Sequence, residues 1–413
     1  MTEATPTLAR AGITRRDTPP TDGRLRGADL PWLMALTLAY LLLAKLSATY
    51  LPFGVHGSLV WLPNGLALAA LLVGGRKYWP AVFLGALVGF WWVGHPPGLS
   101  LAPLLTGAFG SALGKTVGPY LVVGWLRRVP SFHAALDRAH DYWWLSLLGA
   151  AGAMVNATIG GGTLWLAGVD QRPITLAATM LDVWMGDVLA VVLLVPLLLV
   201  WRRSPSGSVV TGRAVEATVG LGLAGLTGQV VLVGWQGDWL GDVPLGYLCF
   251  GFVLWSAVRC GHHVVVGLIV LFAVQGLYGA ARGVGFLGDQ PPIATWLFLL
   301  LLSAIGITVS LLFHASERAE RVLRRSTKLL EDSQSTARLG SWEFDLHTSH
   351  LTWSREHYRI FELPETAADK LYEAYRSKIH PDDIAELDRV SVSYTHLRAH
   401  ETKANLVCRL LLE

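Results

Sequence analysis

Long runs of apolar residues are the feature that most constrains this chain. Ten such blocks follow one another, near 31–50, 57–74, 79–94, 102–126, 143–167, 174–201, 214–235, 244–258, 263–281 and 293–313. A hydrocarbon core of about 30 Å needs roughly 20 apolar residues per helix, and lipid tolerates no unpaired backbone. The pattern predicts an all-α polytopic membrane helical bundle. Three blocks are short for a full span, so we expect eight to ten spans.

Charge is scarce and scattered. Only 15% of the residues are charged and the formal net charge is +3, whereas soluble domains average about 25% charged residues. No basic patch interleaved with aromatic residues indicates nucleic-acid binding. The three cysteines show no spacing typical of zinc or a disulfide framework. We therefore expect a lipid bilayer as the main partner, with no metal, no cofactor and no nucleic acid.

The basic residues between the blocks predict the orientation of the bundle. Loops on the first side carry nine of them, and the opposite loops carry only Arg172 and Arg282. Loops rich in Lys and Arg stay in the cytoplasm. Both termini are thus expected to be cytoplasmic, with residues 1–30 a disordered tail and the bundle in a bacterial inner membrane. The nine are Arg76, Lys77, Arg127, Arg128, Arg138, Arg202, Arg203, Arg213 and Arg259.

Lys45, Lys115, Asp182 and Asp187 are charged residues that fall inside the apolar blocks. Each costs at least about 2.5 kcal/mol on insertion scales, so such residues are usually paired or functional. Asp182 and Asp187 lie about 140° apart around a helix and cannot share one face. A ligand or ion site between helices and a structural ion pair both fit, and Lys115 with Asp187 is the favoured pair. For Lys45, snorkelling to an interface is the simpler interpretation.

The run Pro63–Asn64–Gly65 interrupts the second block. Proline removes a helix hydrogen bond and the Asn64 amide adds donors near the freed carbonyls. The sequence therefore predicts a broken helix at membrane depth, which lines a polar cavity or forms a packing kink. With this residue, the candidate ligand or ion-pair positions are Asn64, Lys115, Asp182 and Asp187.

Three segments carry a family pattern: "VWLPNGLALAALLVGGRKYWPAVFLGALVG", "LDVWMGDVLAVVLLVPLLLVW" and "LWSAVRCGHHVVVGLIVLFAVQGLYGAARGVGF". They resemble the first of the membrane-associated sensor domain families of bacteria. The resemblance implies that residues 31–313 form a multi-span sensor domain in front of a signalling enzyme. Asn64 stands where the family more often has a small residue after the proline.

A charged segment follows the last apolar block. Ala315, Val322 and Leu329 are seven residues apart with charges between them, which is a short heptad signal. Residues 314–337 are expected to form a signalling helix that links the bundle to a soluble domain and holds two copies together as a homodimer.

Residues 338–390 predict the start of an α+β domain. Trp342, Phe344 and Leu346 alternate with polar residues as in a half-buried strand, and a turn at 347–350 leads to a return strand at Leu351 and Trp353. Ser354 is expected to cap a helix with Tyr358 and Phe361 on one face.

The segments "GSWEFD", "LTWS", "YRIFEL" and "IHPDD" occur in that order. They resemble a PAS domain of the bacterial sensor type, cut off after about half of its usual length. In "IHPDD" the proline and Asp382 or Asp383 start another helix, and His380 is structural rather than a metal ligand. Residues 391–413 do not continue the pattern, and "VSYTHLRAHET" and "NLVCRLLLE" resemble a translated sequencing adapter.

These features together predict a membrane sensory receptor that responds to an unidentified stimulus. The chain contains no catalytic domain. The resemblance implies a missing cytoplasmic output, with a sensor histidine kinase and its response regulator as the first choice and a diguanylate cyclase as the alternative. A multi-span transporter is the hypothesis from another class, but no internal repeat supports it.

Overall fold

The computed structural model describes residues 25–53, 57–93, 100–168, 175–203, 214–235, 245–345, 350–365, 371, 374, 377–386 and 389. The chain divides into two compact units, Met1–Ala315 and Ser316–Glu413. Residues 391–413, and with them the predicted adapter sequence, lie outside the described residues.

A helix lies in each of the ten apolar blocks. The helices are α1 (Leu30–Tyr50), α2 (Leu62–Gly74), α3 (Trp79–Val93), α4 (Leu101–Leu126), α5 (Ala139–Asn156), α6 (Gly162–Leu166), α7 (Leu176–Trp201), α8 (Ala214–Val231), α9 (Leu248–Arg259), α10 (His262–Arg282) and α11 (Pro292–Ala337). A π-helical turn, Ala157–Gly161, joins α5 to α6, so these two occupy a single block.

Five helical segments among the described residues are long and apolar enough to cross a membrane: Gly27–Tyr50, Ala139–Leu166, Leu176–Trp201, His262–Arg282 and Pro292–Ala337. Helices α2, α8 and α9 are apolar but shorter. The chain is therefore a multi-pass membrane protein.

Helix α1 is apolar on its exposed surface as well as inside. Tyr40, Ala44 and Ser47 are buried, while a large apolar side chain is exposed at every fourth position on the opposite face. Exposing such an apolar stripe to water is unfavourable, whereas apolar lipid tails can cover it at little cost. This face of α1 consequently suits lipid contact; its exposed residues are Leu30, Met34, Leu38, Leu42 and Leu46.

The predicted break at Pro63 is wrong. Helix α2 begins at Leu62, so Pro63 occupies its first turn. The first N–H groups of a helix have no partner within the helix, and proline costs nothing there. The residues before it form a short antiparallel pair, β1 (Pro52–Phe53) with β2 (Gly57–Ser58). The proline thus starts a helix and does not kink one.

Helices α4 and α5 approach closely because glycines line the contact. Gly110, Gly114 and Gly118 recur every fourth residue on α4. A methyl group added at Gly118 would meet the backbone carbonyl oxygen of Gly152 at 2.7 Å. Small residues at this spacing let membrane helices pack backbone to backbone. This packing sets the position of the end of α5.

Helix α11 is a single helix of 46 residues. At 1.5 Å per residue it is about 70 Å long, more than twice the thickness of the hydrocarbon core. Its first part is packed, with Leu299 and Leu302 fully buried, whereas Val322 and Leu329 are exposed. The predicted linker 314–337 is therefore the continuation of the last apolar helix.

The second unit contains the predicted pair of strands. β3 (Trp342–Asp345) pairs antiparallel with β4 (His350–Trp353), with Trp342 opposite Trp353. Helix α12 (Arg355–Ile360) follows, and the Ser354 hydroxyl accepts a hydrogen bond from the backbone N–H of His357, as expected for an N-cap. Residues 381–386 are helical, so "IHPDD" does start a helix. The predicted turn between the strands lies mostly outside the described residues.

His357 is buried inside this unit, against two aromatic rings. Its side chain is 4% exposed, and its ring lies 4.3 Å from that of Trp353 and 5.0 Å from that of Phe361. Gly340 leaves the space that the imidazole fills. Burial lowers the pKa of His357, an effect that a hydrogen bond involving the Gly340 backbone partly opposes.

Substitution of Gly118 tests the glycine contact between α4 and α5. Gly118→Ala should lower the melting temperature in detergent, although alanine favours helices, because the carbonyl of Gly152 is backbone and cannot move aside. Gly222→Ala, in α8, is the matched control, since nothing lies within 4 Å of an added methyl group there. Equal melting temperatures for the two variants would contradict the contact.

The second unit should lose stability in acid. The folded state resists protonation of His357, while the unfolded chain takes up the proton below about pH 6.5, so stability falls as the pH drops below that value. Hydrogen–deuterium exchange of residues 340–363 in the intact chain, corrected for intrinsic rates, should show less protection at pH 5 than at pH 7.5. His357→Phe should remove the difference, and an unchanged difference would place its origin elsewhere.

Candidate functional site: a buried polar cluster around Asp187

Asp187 lies in the middle of α7 and is completely buried. Its Oδ2 atom accepts a hydrogen bond of 2.5 Å from the Nδ2 group of Asn156 on α5. Among the described residues, its Oδ1 atom has no hydrogen-bond partner. A buried carboxylate is stable only when charged or polar groups compensate it, so its surroundings define the candidate site.

Three consecutive residues of α7 accept hydrogen bonds from other parts of the bundle. The carbonyl of Met185 accepts one from the indole Nε1 of Trp296 on α11, at 2.9 Å. The carbonyl of Gly186 accepts one from the backbone N–H of Trp61, also at 2.9 Å. With the amide bound to Asp187, this short segment joins α5, α11 and the start of α2.

Asn156 is placed by two local features. It is the last residue of α5 and precedes the π-helical turn. Such turns are frequent at functional sites because they re-aim side chains. Its Oδ1 atom lies 2.6 Å from where a methyl group on Gly114 would be. Only a glycine on α4 therefore leaves room for this amide.

Lys115 follows Gly114 on α4. Its ammonium lies 4.4 Å from the centre of the Trp61 ring, a cation–π contact. It is close enough to Asp187 for an electrostatic interaction, but no ion pair within 4 Å joins these two described side chains. The direct pair favoured from the sequence is not formed, because the Lys115 ammonium lies over the Trp61 ring instead.

Tyr40 completes the cluster from α1. Its side chain is fully buried, packs on Gly85 and interacts with both Trp61 and Asp187. Among the described residues, the Oδ1 atoms of Asn156 and Asp187 have no hydrogen-bond partner. Each unpaired buried group costs about 1–3 kcal/mol. A cluster with unused acceptors can bind water, an ion or a small ligand.

The other predicted residues, Asn64, Asp182 and Lys45, differ in burial and in the part of the bundle where they lie. Asn64 is 3% exposed, sits one turn after Trp61, and its Oδ1 atom is unpartnered. Asp182 is half-buried on another face of α7, as its spacing from Asp187 predicts. Lys45 is exposed on α1. The structure brings Lys115 and Asp187 together and leaves Lys45 outside.

Sequence reasoning missed Tyr40, Trp61 and Asn156. The sequence does contain one signal for Asn156, because it places an amide inside an apolar block. An amide at membrane depth is costly unless it is hydrogen-bonded. Tyr40 and Trp61 carry no such signal, because aromatic residues are common throughout these helices.

The fold and this cluster define a polytopic helical membrane protein with a charged, incompletely paired centre. Among the described residues, no three His, Cys, Asp or Glu side chains are grouped as metal ligands. The family model for MASE1 matches residues 31–319, and the chain belongs to this family of membrane-associated sensor domains. The family occurs in signalling proteins such as histidine kinases and diguanylate cyclases. No curated protein and no solved structure matches the chain.

A double-mutant cycle tests the coupling between Lys115 and Asp187. Lys115→Met or Asp187→Asn alone leaves one buried charge uncompensated, which should cost about 3 kcal/mol. The double variant should lose less free energy of unfolding than the sum of the losses of the two single variants. Unfolding in detergent gives these values, with Lys45→Met as the exposed control that should change little. Strict additivity would show that the two charges are independent.

Proposed function

We propose that this chain is the sensory part of a bacterial signal-transduction receptor. The membrane bundle detects a stimulus, and α11 carries the resulting movement to a cytoplasmic output. The observation that carries this proposal is the continuity of α11, which starts inside the bundle at Pro292 and ends at Ala337.

Hydrogen bonds to α7 support a mechanical role for α11. Trp296 donates to the carbonyl of Met185, two residues from Asp187. Two turns further along each helix, the Ser303 hydroxyl donates to the carbonyl of Val192 at 3.1 Å and also lies 3.2 Å from the Tyr142 hydroxyl. Moving α7 along or around its axis would break these buried bonds unless α11 moved with it. A change at Asp187 therefore has a short physical route to α11.

The polar cluster is the proposed place where the stimulus acts. A ligand, an ion or a proton that satisfies the unpaired atoms would change the balance between Lys115 and Asp187 and the packing of α7 against α5. Asn64 and Asp182 are secondary candidates, since both lie within about one and a half turns of cluster residues on the same helices.

The proposed output lies beyond the described part of the chain. The β3–β4 pair, the Ser354 cap and the helix at 381–386 support a partial PAS domain over 338–390. We propose a histidine kinase acting on a response regulator as the output, with a diguanylate cyclase as the alternative, and we propose that 391–413 is adapter sequence. The loop charges support an inner-membrane location with both termini in the cytoplasm.

A homodimer through the exposed part of α11 fits this scheme. Val322 and Leu329, one heptad apart, are exposed and apolar, as are their neighbours Leu323 and Leu330. Ion pairs Glu317–Arg321 and Glu320–Arg324 lie at the start of this segment. An apolar stripe bordered by charges is typical of a two-stranded coiled coil.

The helical phase of the linker provides the test. In the full-length parent protein, inserting two residues near 326 should change output activity strongly, because it rotates everything downstream by about 200°. Inserting seven residues, one heptad, should restore most of the activity. Membrane insertion should be equal for both.

Two outcomes would overturn the proposal. Output that ignores linker phase would make α11 a passive tether. Substrate uptake by proteoliposomes that Asp187→Asn abolishes would favour a transporter.

A further inference from the structure

The connection between α2 and α3 is tied to the start of α1, on the side of the bundle where the basic loops lie. It is a short helical turn, Arg76–Tyr78. The Lys77 ammonium donates to Asp29 Oδ1 at 2.7 Å, and the Tyr78 hydroxyl donates to the same oxygen at 2.9 Å. The charge of Lys77 is therefore compensated within the protein. Arg76, one residue earlier, is held in a different way.

Arg76 lies across α4. Its guanidinium carbon is 4.5 Å from the centre of the Tyr120 ring, which is a cation–π contact. The guanidinium also fills the space beside Gly124, because a methyl group added to that glycine would collide with the Nη2 atom. Packing on an aromatic ring and on a glycine therefore fixes the position of this charge, and no carboxylate is needed to hold it.

This guanidinium is left without a counter-charge among the described residues. Three basic residues of the same loops do form ion pairs with described carboxylates: Lys77, Arg203 and Arg259. Arg76 forms none, and of its three nitrogen atoms only Nε is enclosed, so the Nη groups stay accessible. A guanidinium fork with free Nη groups binds a phosphate through two parallel hydrogen bonds.

Two further arginines lie close to this position along α4. Arg127 and Arg128 follow Gly124 by three and four residues, so they lie one turn further along the same face. Both are exposed, and neither forms an ion pair with a described carboxylate. Three cations with no acidic partner make a local positive potential that attracts an anion.

The surface on either side of Arg76 is apolar. Val73, in the last turn of α2, is 41% exposed, and Trp79, the first residue of α3, is 45% exposed. Indole rings favour the headgroup layer of a bilayer. A soluble phosphate would gain nothing from these two side chains. A phospholipid can place its phosphate on the guanidinium and its acyl chains along the apolar surface.

We propose that Arg76 binds the phosphate of an anionic glycerophospholipid, with Arg127 and Arg128 adding electrostatic attraction. Basic pockets between membrane helices on the cytoplasmic side bind headgroups of this kind. The choice of the cytoplasmic leaflet rests on the proposed orientation, whereas the binding itself does not rest on the sensor function. A bound lipid would hold the α2–α3 turn against α4, the helix that carries Gly114 and Lys115 of the polar cluster.

Native mass spectrometry of the full chain in detergent measures this binding. Phosphatidylglycerol should bind more tightly than phosphatidylcholine with the same acyl chains. Arg76→Gln should weaken phosphatidylglycerol binding about tenfold, as expected for the loss of one charge-assisted hydrogen bond. Arg202→Gln is the matched control, since it removes one exposed charge from the same side and should change the binding little. Equal effects of the two substitutions, or equal binding of the two lipids, would mean general attraction and would overturn the site.

Gly124→Ala tests the site at constant charge. The added methyl group should push the guanidinium away, because Nη2 is the end of a flexible side chain that can move while the backbone of α4 stays in place. Phosphatidylglycerol binding should then fall about as far as in Arg76→Gln. Gly222→Ala, which meets nothing within 4 Å, should leave the binding unchanged. Unchanged binding in Gly124→Ala would show that the lipid does not depend on this placement of Arg76.

Glycerol 3-phosphate distinguishes a lipid site from a site for a soluble phosphate ester. At equal concentration it should displace almost no phosphatidylglycerol, because it has no acyl chains. Complete displacement would assign the site to a soluble ligand and overturn the lipid proposal. None of these measurements depends on signalling. Loss of the lipid site would leave the linker-phase test of the sensor proposal untouched, and output that ignores linker phase would leave the lipid site standing.

Discussion

The packing of the membrane unit depends on a buried carboxylate, Asp187, of which only one oxygen is hydrogen-bonded. Asp187 is completely buried, with one hydrogen-bonded oxygen and one oxygen that has no hydrogen-bond partner among the described residues. The Asn156 amide, the Lys115 ammonium and the Tyr40 ring must converge on it from three other helices. Because a charge inside a bilayer is costly without such partners, the arrangement of α1, α4, α5 and α7 is tied to this one group.

The glycines of α4 make that convergence possible. With a side chain at Gly114, the Asn156 amide would have no space, and with one at Gly118 the backbone of α5 would be forced outward. Packing and electrostatics therefore act together, since the close helix contact supplies the donor that the carboxylate needs. The same segment of α7 binds Trp296, so the charged centre and the long α11 belong to one hydrogen-bonded unit.

Much of the helical framework could be predicted. The positions of the helices α1 to α11 follow from hydropathy, because each helix in lipid must satisfy its own backbone and so needs an uninterrupted apolar run. The strand pair and the Ser354 cap follow from alternation and local side-chain chemistry. The break at Pro63 was wrong because a proline in an apolar run can equally stand in the first turn of a helix, and hydropathy does not distinguish the two positions.

The sequence by itself determined that this chain is a multi-pass helical membrane protein, and its motifs indicated the sensor family. It also singled out Lys115 and Asp187, since charges inside apolar runs are rare enough to be noticed. Only the tertiary structure decided that these two do not form a direct ion pair, and that Asn156, Trp61 and Tyr40 complete the cluster. The physical reason is that helices α1, α4, α5 and α7 meet at distances set by packing, and residues far apart in the chain become partners only when those distances are known.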